Sequence, residues 1–128
     1  MDDCLRVFII ERDLFVSQDI ADSFRSVKPS AACSTYQSVD EARAAAQEGA
    51  DPQLVLMSAG ADGTLRITPD DMAWLRARKI ITFDVRNPQP DASWANLSKP
   101  FTEEELIETA FRMFGCGTGP SLPEPSGV

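Results

Sequence analysis

The chain of 128 residues contains no histidine, only three cysteines, and 12 lysines and arginines against 20 aspartates and glutamates. Without histidine, the usual zinc ligand sets and a serine–histidine catalytic pair cannot form. Cys4, Cys33 and Cys116 are odd in number and match no metal-binding spacing, so free thiols are expected. The net charge of -8 and the lack of a basic cluster argue against nucleic-acid binding.

Long apolar runs are also missing. No stretch approaches the roughly 18 apolar residues that a membrane span needs. Asp2 and Asp3 differ from the basic start of a secretory leader. We therefore expect a cytoplasmic protein that does not enter a membrane. A length of 128 residues with 43% hydrophobic content predicts one domain with a single core.

Short apolar segments alternate with helical patterns along the chain. Strands are predicted at residues 5–10, 54–57 and 79–83, with a weaker extended stretch at 94–97. This alternation predicts right-handed crossovers and a three-layer α/β domain, in which helices cover both faces of a parallel sheet. The domain is expected to span residues 1–114. Residues 115–128 (GCGTGPSLPEPSGV) are rich in Gly, Pro and Ser and predict a disordered tail.

Four helices are predicted between or after these strands. The second begins at Ser38, the third at Thr68 and the last at Thr102, because each residue type can cap a helix. Glu41 and Glu105, three residues after their caps, complete capping boxes. The first helix is predicted from an apolar stripe at Val16, Ile20, Phe24 and Val27. The predicted buried face of the last helix contains Leu106, Ile107, Ala110, Phe111 and Phe114.

Four segments together resemble the receiver domain of response regulators over about residues 5–114. They are VFIIERD at the first strand, PQLVLMS at the third, IITFD at the fourth and SKPFTEEEL at the last helix. The resemblance implies a CheY-like, flavodoxin-like, doubly wound sheet of five parallel strands. It also implies a role in two-component signal transduction, of the kind that a phosphorelay uses.

The resemblance also implies where a functional pocket lies, at the carboxyl ends of the parallel strands. In receivers, acidic residues after the first strand bind magnesium and an aspartate after the third accepts a phosphoryl group. Glu11 matches the first acidic residue, and Lys99 matches the lysine that contacts the phosphate. Arg12 stands where the second acidic residue is expected, Ser58 replaces the phosphoacceptor aspartate, and Asp84 replaces a Thr or Ser.

These replacements predict a degenerate pocket. Asp13 could supply the second acid if the register slips by one residue, but this would not restore the aspartate that Ser58 replaces. Magnesium prefers several hard oxygen ligands, and a serine hydroxyl lacks the anionic nucleophilicity of a carboxylate. We expect no bound metal, no cofactor, no catalytic residue and no enzymatic activity. Arg12 is expected to occupy the metal position and to pair with Glu11 or Asp84.

The segment between the fourth and fifth strands departs from the receiver pattern. Pro88 and Pro90 forbid a regular helix in so short a stretch, so the fourth helix of the family should be shortened or absent. In receivers this helix belongs to the surface that partners bind. We expect a rebuilt partner surface anchored by Trp94 and Phe101, which a homodimer or another protein would cover.

The resulting interpretation is a stand-alone pseudo-receiver that acts through phosphorylation-independent protein–protein interaction. A histidine kinase or phosphotransfer protein is the partner that the resemblance implies. Two alternatives stay open: a phosphorylatable single-domain response regulator with a non-standard site, and a small-ligand binding domain on the same scaffold. No phosphate-cradling loop of Ser, Thr and Gly follows the first strand, which counts against a flavin.

Overall fold

The computed structural model describes residues 5–28, 31–49, 51–60, 62–65, 67–86, 94–98 and 101–113. Strands and helices alternate along these ranges, as predicted. In chain order they are β1 (Arg6–Ile10), α1 (Leu14–Val27), β2 (Ala32–Tyr36), α2 (Val39–Ala46), β3 (Leu54–Ser58), α3 (Pro69–Leu75), β4 (Lys79–Phe83), β5 (Trp94–Leu97) and α4 (Glu103–Met113).

The five strands form one parallel sheet in the order β2-β1-β3-β4-β5. This order confirms the predicted doubly wound, flavodoxin-like topology. The strand order reverses between β1 and β3, which lie side by side with Ile10 opposite Met57. In open parallel sheets, ligand and catalytic sites gather outside the carboxyl ends of the strands at such a switch point. The fold therefore directs attention to the residues that follow Ile10 and Met57.

Helices cover both faces of the sheet and bury two apolar clusters. One cluster lies under α1 and α4, and its largest side chains include Phe24 and Leu106. The other lies under α2 and α3 and includes Phe8 and Leu75. Burying a side chain of this size removes it from water at a gain of about 1.5–3 kcal/mol. The predicted three-layer architecture is therefore confirmed.

The predicted helix caps are present. The Ser38 hydroxyl accepts a hydrogen bond from the Glu41 amide at 3.2 Å, although the Glu41 carboxylate accepts from the Gln37 amide rather than from Ser38. At α4, the Thr102 hydroxyl accepts from the Glu105 amide at 3.0 Å, and the Glu105 carboxylate accepts from the Thr102 amide at 2.8 Å. These bonds satisfy backbone donors that the first helical turn leaves without partners.

Two residues of the predicted apolar helix faces are exposed. Val27 is 46% exposed and is the last residue of α1. Phe111 is 37% exposed because the buried face of α4 centres on Leu106 and Ala110. Successive helical residues are rotated by about 100°, so Phe111 falls beside this face rather than on it.

Several predictions concern residues outside the described ranges. They include Phe114, the tail at 115–128, Lys99, and residues 87–93, where the fourth helix of receivers was expected to be shortened or absent. In the part of the chain that the structure describes, no helix is both long enough and apolar enough to cross a membrane.

Candidate functional site

Glu11 lies at the switch point of the sheet, directly after β1. It is buried, with 8% of its surface exposed, and its backbone amide donates to the carbonyl of Tyr36 at the end of β2. Its carboxylate accepts hydrogen bonds from the Ser58 hydroxyl and, at 3.0 Å, from the Asp13 amide. A buried carboxylate is costly unless donors compensate for its lost hydration, and these two donors do so in part.

Ser58 is the last residue of β3 and is half-buried. Its hydroxyl donates to Oε1 of Glu11 across the switch point. The pairing of β1 with β3 brings these two residues together, because each follows or ends a strand at the same edge of the sheet. The residues at the expected metal-binding and phosphoacceptor positions are therefore bonded to each other.

Asp13 is the N-cap residue of α1. Its carboxylate accepts hydrogen bonds from the amides of Phe15 at 2.9 Å and Val16 at 3.4 Å. A capping aspartate also interacts favourably with the positive end of the helix dipole. Asp13 therefore caps the helix, which engages its carboxylate with the first turn of α1.

Arg12 lines the same cleft as Glu11 but is exposed to solvent. Within the described ranges it forms no ion pair with Glu11 or Asp84, so the prediction that it fills the metal position and pairs there is wrong. The reason is that Glu11 already accepts hydrogen bonds from Ser58 and Asp13. Turning Arg12 inward would bury a second charge at a desolvation cost of several kcal/mol.

Asp84 follows β4, in the position expected from the sequence, and is exposed. Its backbone has φ of 60°, in the left-handed region that aspartate tolerates better than most residues. The Asp84 amide donates to the carbonyl of Leu97 in β5 at 2.8 Å. Asp84 thus turns the chain out of the sheet at the edge where the pocket lies.

A cleft of about 670 Å³ opens at this edge. Its apolar lining residues are Ile10, Val39, Met57, Leu65 and Ile67, and its polar ones include Glu11, Arg12, Gln37, Ser38, Ser58, Asp62 and Thr64. A concave site with an apolar floor and a few polar groups is typical of small-molecule binding sites.

One wall of the cleft is the loop between β3 and α3. The Gly60 amide donates to the Thr64 carbonyl at 3.0 Å, and Asp62 accepts from both the amide and the hydroxyl of Thr64. The Arg86 amide, after β4, donates to the carbonyl of Gly63 at 2.9 Å. The loop is therefore attached to the neighbouring strand connection, which holds this wall in place.

The donor set does not fit the magnesium ion that receivers bind. Glu11 is hydrogen-bonded to Ser58, the carboxylate of Asp13 caps α1, and Arg12 adds a positive charge to the cleft. Magnesium requires near-octahedral oxygen ligands, usually with carboxylates among them. In the described ranges, no three histidine, cysteine, aspartate or glutamate side chains converge as a metal site would require.

Trp94 and Phe101, predicted to anchor one partner surface, lie on opposite faces of the sheet. Trp94 packs against the cluster under α2 and α3, and its indole nitrogen is buried without a hydrogen-bond partner. Phe101 packs against the cluster under α1 and α4 and stacks on Phe83, with ring centroids 4.8 Å apart and planes inclined by 14°. The two aromatics therefore pack against different apolar clusters, and their role as anchors of a partner surface stays a prediction.

Sequence reasoning missed Asn96, which ties β5 to the end of β4. Its side-chain oxygen accepts from the Thr82 hydroxyl at 2.8 Å and from the Val85 amide at 3.2 Å, and its amide donates to the Val85 carbonyl at 3.3 Å. Arg43 and Asp71 were also missed. Their side chains approach to 3.0 Å between α2 and α3 without hydrogen-bond alignment. The role of Asp71 in capping α3 was predictable from its position three residues after Thr68, but its contact with Arg43 of α2 was not.

The fold is shared with solved receiver domains. The chain is similar to a response regulator receiver protein from Sinorhizobium medicae (TM-score 0.68, 15% identity, 89% of this chain and 97% of the other). It is also similar to the receiver domain of PhyR from Erythrobacter litoralis, with a TM-score of 0.66 and 22% identity over 94% of this chain and 97% of the other. SdrG from Sphingomonas melonis is a third similar structure, with a TM-score of 0.66 and 18% identity over 89% of this chain and 99% of the other. No protein-family model and no curated protein sequence matches the chain. The chain therefore has the CheY-like receiver fold.

Proposed function

We propose that this chain is a receiver-like signalling module that acts through protein–protein contacts and is not phosphorylated at Ser58. The observation that carries the proposal is the hydrogen bond from the Ser58 hydroxyl to the Glu11 carboxylate. In receivers, the residues at these positions are both carboxylates, which bind a metal ion and accept a phosphoryl group. Here a neutral hydroxyl donates to the carboxylate of Glu11, so the oxygen of Ser58 is engaged in a hydrogen bond and carries no negative charge.

Electrostatics also count against phosphorylation. A phosphoryl group approaching Ser58 would meet the Glu11 carboxylate, a charge of the same sign, within hydrogen-bonding distance of the nucleophile. Arg12 is exposed, and in the described ranges no hydrogen bond joins it to Ser58. A serine hydroxyl also needs a base to become a strong nucleophile.

Exposed apolar side chains support a role in protein binding. Leu14 is 69% exposed and Phe15 is 87% exposed, side by side at the start of α1. Large apolar side chains that adjoin one another at a surface often mark a site of association. A histidine kinase or a phosphotransfer protein is the partner that the fold implies, and in binding it this chain would compete with phosphorylatable receivers. A homodimer is the alternative assembly.

Intact-mass analysis after incubation with acetyl phosphate and Mg²⁺ tests the proposal. A phosphorylatable receiver treated in parallel serves as the positive control, and the Ser58→Ala variant as the matched negative control. We expect no phosphoryl adduct on the wild-type chain. An adduct on the wild type that the Ser58→Ala variant lacks would instead establish a phosphorylatable module with a non-standard site, in which Glu11 accepts the hydroxyl proton.

The cleft of about 670 Å³ favours a second candidate function, the binding of a small ligand. Apolar side chains such as Met57 and Leu65 would contact its body, and Arg12 would contact an anionic group at the rim. Native and denaturing mass spectra of the freshly purified protein, together with its absorbance spectrum, test this candidate. A mass excess that is present only under native conditions would support it.

A further inference from the structure

Strand β2 has an open outer side at one edge of the sheet. It pairs only with β1 and is the longer of the two edge strands. All of its residues, Ala32–Tyr36, pair with β1 in unbroken register, so the strand contains no bulge. Edge strands are usually protected from other chains by charged residues, prolines or bulges. The strand β2 has none of these devices, so its outer side is suited to pairing with another strand.

The hydrogen bonds to β1 identify the backbone groups of β2 that point outward. The Ala32 amide donates to the Leu5 carbonyl at 2.8 Å, and the Tyr36 carbonyl accepts from the amide that follows β1 at 3.1 Å. Alternate residues of a strand direct their backbone groups to opposite sides. Cys33 and Thr35 therefore direct their N–H and C=O groups away from β1. Among the residues that the structure describes, no group forms a hydrogen bond with them.

The run of open amides is short. Ala31 and Gln37 are the next residues with outward-facing amides, but both amides already have local partners. The Ala31 amide donates to the Lys28 carbonyl at 2.8 Å, and the Gln37 amide donates to the Glu41 carboxylate at 3.0 Å. The pairing strand must therefore satisfy two open residues, and a second copy of β2 offers two open residues with the same spacing.

We propose that two copies of this chain pair through β2, antiparallel and related by a two-fold axis at Ser34. In this register, Cys33 of one copy lies opposite Thr35 of the other, and the two residues exchange both backbone hydrogen bonds. All of the outward-facing groups of both residues are then satisfied. The contact is self-complementary, as a two-fold symmetric interface must be. This inference does not rest on the proposed function, because no residue of β2 belongs to the degenerate pocket.

Charge also favours a second copy at this edge. Two chains with a net charge of -8 repel each other, so they approach most readily where neither presents a net local charge. None of residues 29–39 is charged, although charged residues make up 25% of the chain. Arg25 and Asp22 of α1 lie near Cys33, but they are opposite in sign and only 3.8 Å apart. The proposed contact therefore brings together two surfaces without like-charge repulsion.

Disulfide cross-linking of the full chain tests the position of the axis. Ser34→Cys and Thr35→Cys are compared under mild oxidation in a background that carries Cys4→Ser, Cys33→Ala and Cys116→Ser. The two copies of residue 34 would lie opposite each other with Cα atoms about 4.5 Å apart, within the range of a disulfide. The two copies of residue 35 would lie diagonally at about 7–8 Å, too far for a disulfide. On non-reducing gels we expect a covalent dimer of Ser34→Cys and little of Thr35→Cys.

Charge substitutions at the axis test the reversible dimer. Ser34→Lys and Ser34→Glu each place two like charges opposite each other, so each should weaken self-association by about tenfold or more. An equal mixture of the two variants pairs opposite charges and should restore association. Sedimentation velocity over a wide range of protein concentration, up to the millimolar, measures both effects. Ser98→Lys and Ser98→Glu, at an exposed residue beyond the opposite edge strand, are the matched controls and should leave self-association unchanged.

Circular dichroism shows whether each variant folds, and cross-linking decides the outcome if a charged residue at position 34 prevents folding. A wild-type chain that stays monomeric would overturn the proposal. Cross-linking of Thr35→Cys as fast as that of Ser34→Cys, or self-association that the Ser34 charge variants leave unchanged, would do the same. The phosphorylation assay reports separately on Ser58. A monomeric chain that takes no phosphoryl group therefore loses this interface but keeps the proposed function.

Discussion

Gly63 should be one of the least replaceable residues of the pocket wall. It lies in the loop between β3 and α3 with φ of 79°, and its carbonyl accepts a hydrogen bond from the Arg86 amide. A Cβ added at this position would lie 2.7 Å from Cβ of Arg86 and 3.3 Å from its amide nitrogen. Both contacts involve atoms on or next to the backbone, so rotation of a side chain cannot relieve them.

Two costs add for the Gly63→Ala substitution. Holding alanine in the left-handed region costs about 1–2 kcal/mol. Forcing a methyl group into an occupied space costs about a further 1–3 kcal/mol. We therefore expect the free energy of unfolding to fall by about 2–5 kcal/mol. Gly49→Ala is the matched control, because Gly49 also has a positive φ, of 107°, but nothing lies within 4 Å of its added Cβ.

Guanidinium unfolding followed by tryptophan fluorescence measures both variants. The double variant Gly63→Ala, Arg86→Gly removes the obstructing Cβ, so it should recover about 1–3 kcal/mol relative to the sum of the single substitutions. If Gly63→Ala destabilises no more than Gly49→Ala, or if Arg86→Gly recovers nothing, the loop does not pack on the β4 connection in this way.

Three further predictions concern single side chains. Arg12→Ala should change the free energy of unfolding by no more than about 0.5 kcal/mol, as should Arg76→Ala, because both arginines are exposed. A much larger loss of stability for Arg12→Ala in chemical denaturation would indicate that Arg12 forms an ion pair after all. Ser58→Ala should lower the free energy of unfolding, measured by chemical denaturation, by about 1–3 kcal/mol, because it removes a hydrogen-bond donor from a buried carboxylate. Ser26 is exposed, so Ser26→Ala should leave the free energy of unfolding almost unchanged. Burial raises the pKa of the Cys33 thiol, so iodoacetamide should alkylate it more slowly in the native than in the denatured chain at pH 8, as read from peptide masses. The unfolded thiol ionises first, so stability should fall as the pH rises through the thiol's range.

Local signals in the sequence located most of the elements. Ser38 and Thr102 cap helices where predicted, because a capping side chain acts on the next few residues only. Strand β2 had no such signal. It is an edge strand with three half-buried and two exposed residues, so Ala32–Tyr36 carries no apolar run, and only the family resemblance implied it. Phe111 was predicted to be buried but is exposed, because an apolar stripe shows which side of a helix faces the core and not how wide the buried side is.

The pocket was located from the sequence, but its bonding was not. The order of the strands in the sheet decides which loops lie next to each other, and the family resemblance implied that order. The hydrogen bonds of each side chain depend on partners distant along the chain, which the sequence does not identify. The role of Asp13 could have been found, since an aspartate directly before a helix is a capping signal. The separation of Trp94 from Phe101 could be anticipated only in part. Alternation along β5 places Trp94 and Leu97 on opposite faces of the sheet. Phe101 lies beyond the strand, so alternation does not predict its face.

Hydrogen bonds connect the pocket to the exposed start of α1. The Ser58 hydroxyl donates to Glu11, and Glu11 accepts in turn from the amide of Asp13, whose carboxylate caps the helix. Leu14 and Phe15, the two most exposed large apolar side chains of the described residues, follow directly. In a phosphorylatable receiver, this position of β3 changes its charge when it is modified. Here the Ser58 hydroxyl supports the turn into α1 through Glu11, so these pocket residues position the exposed side chains that we propose to contact a partner.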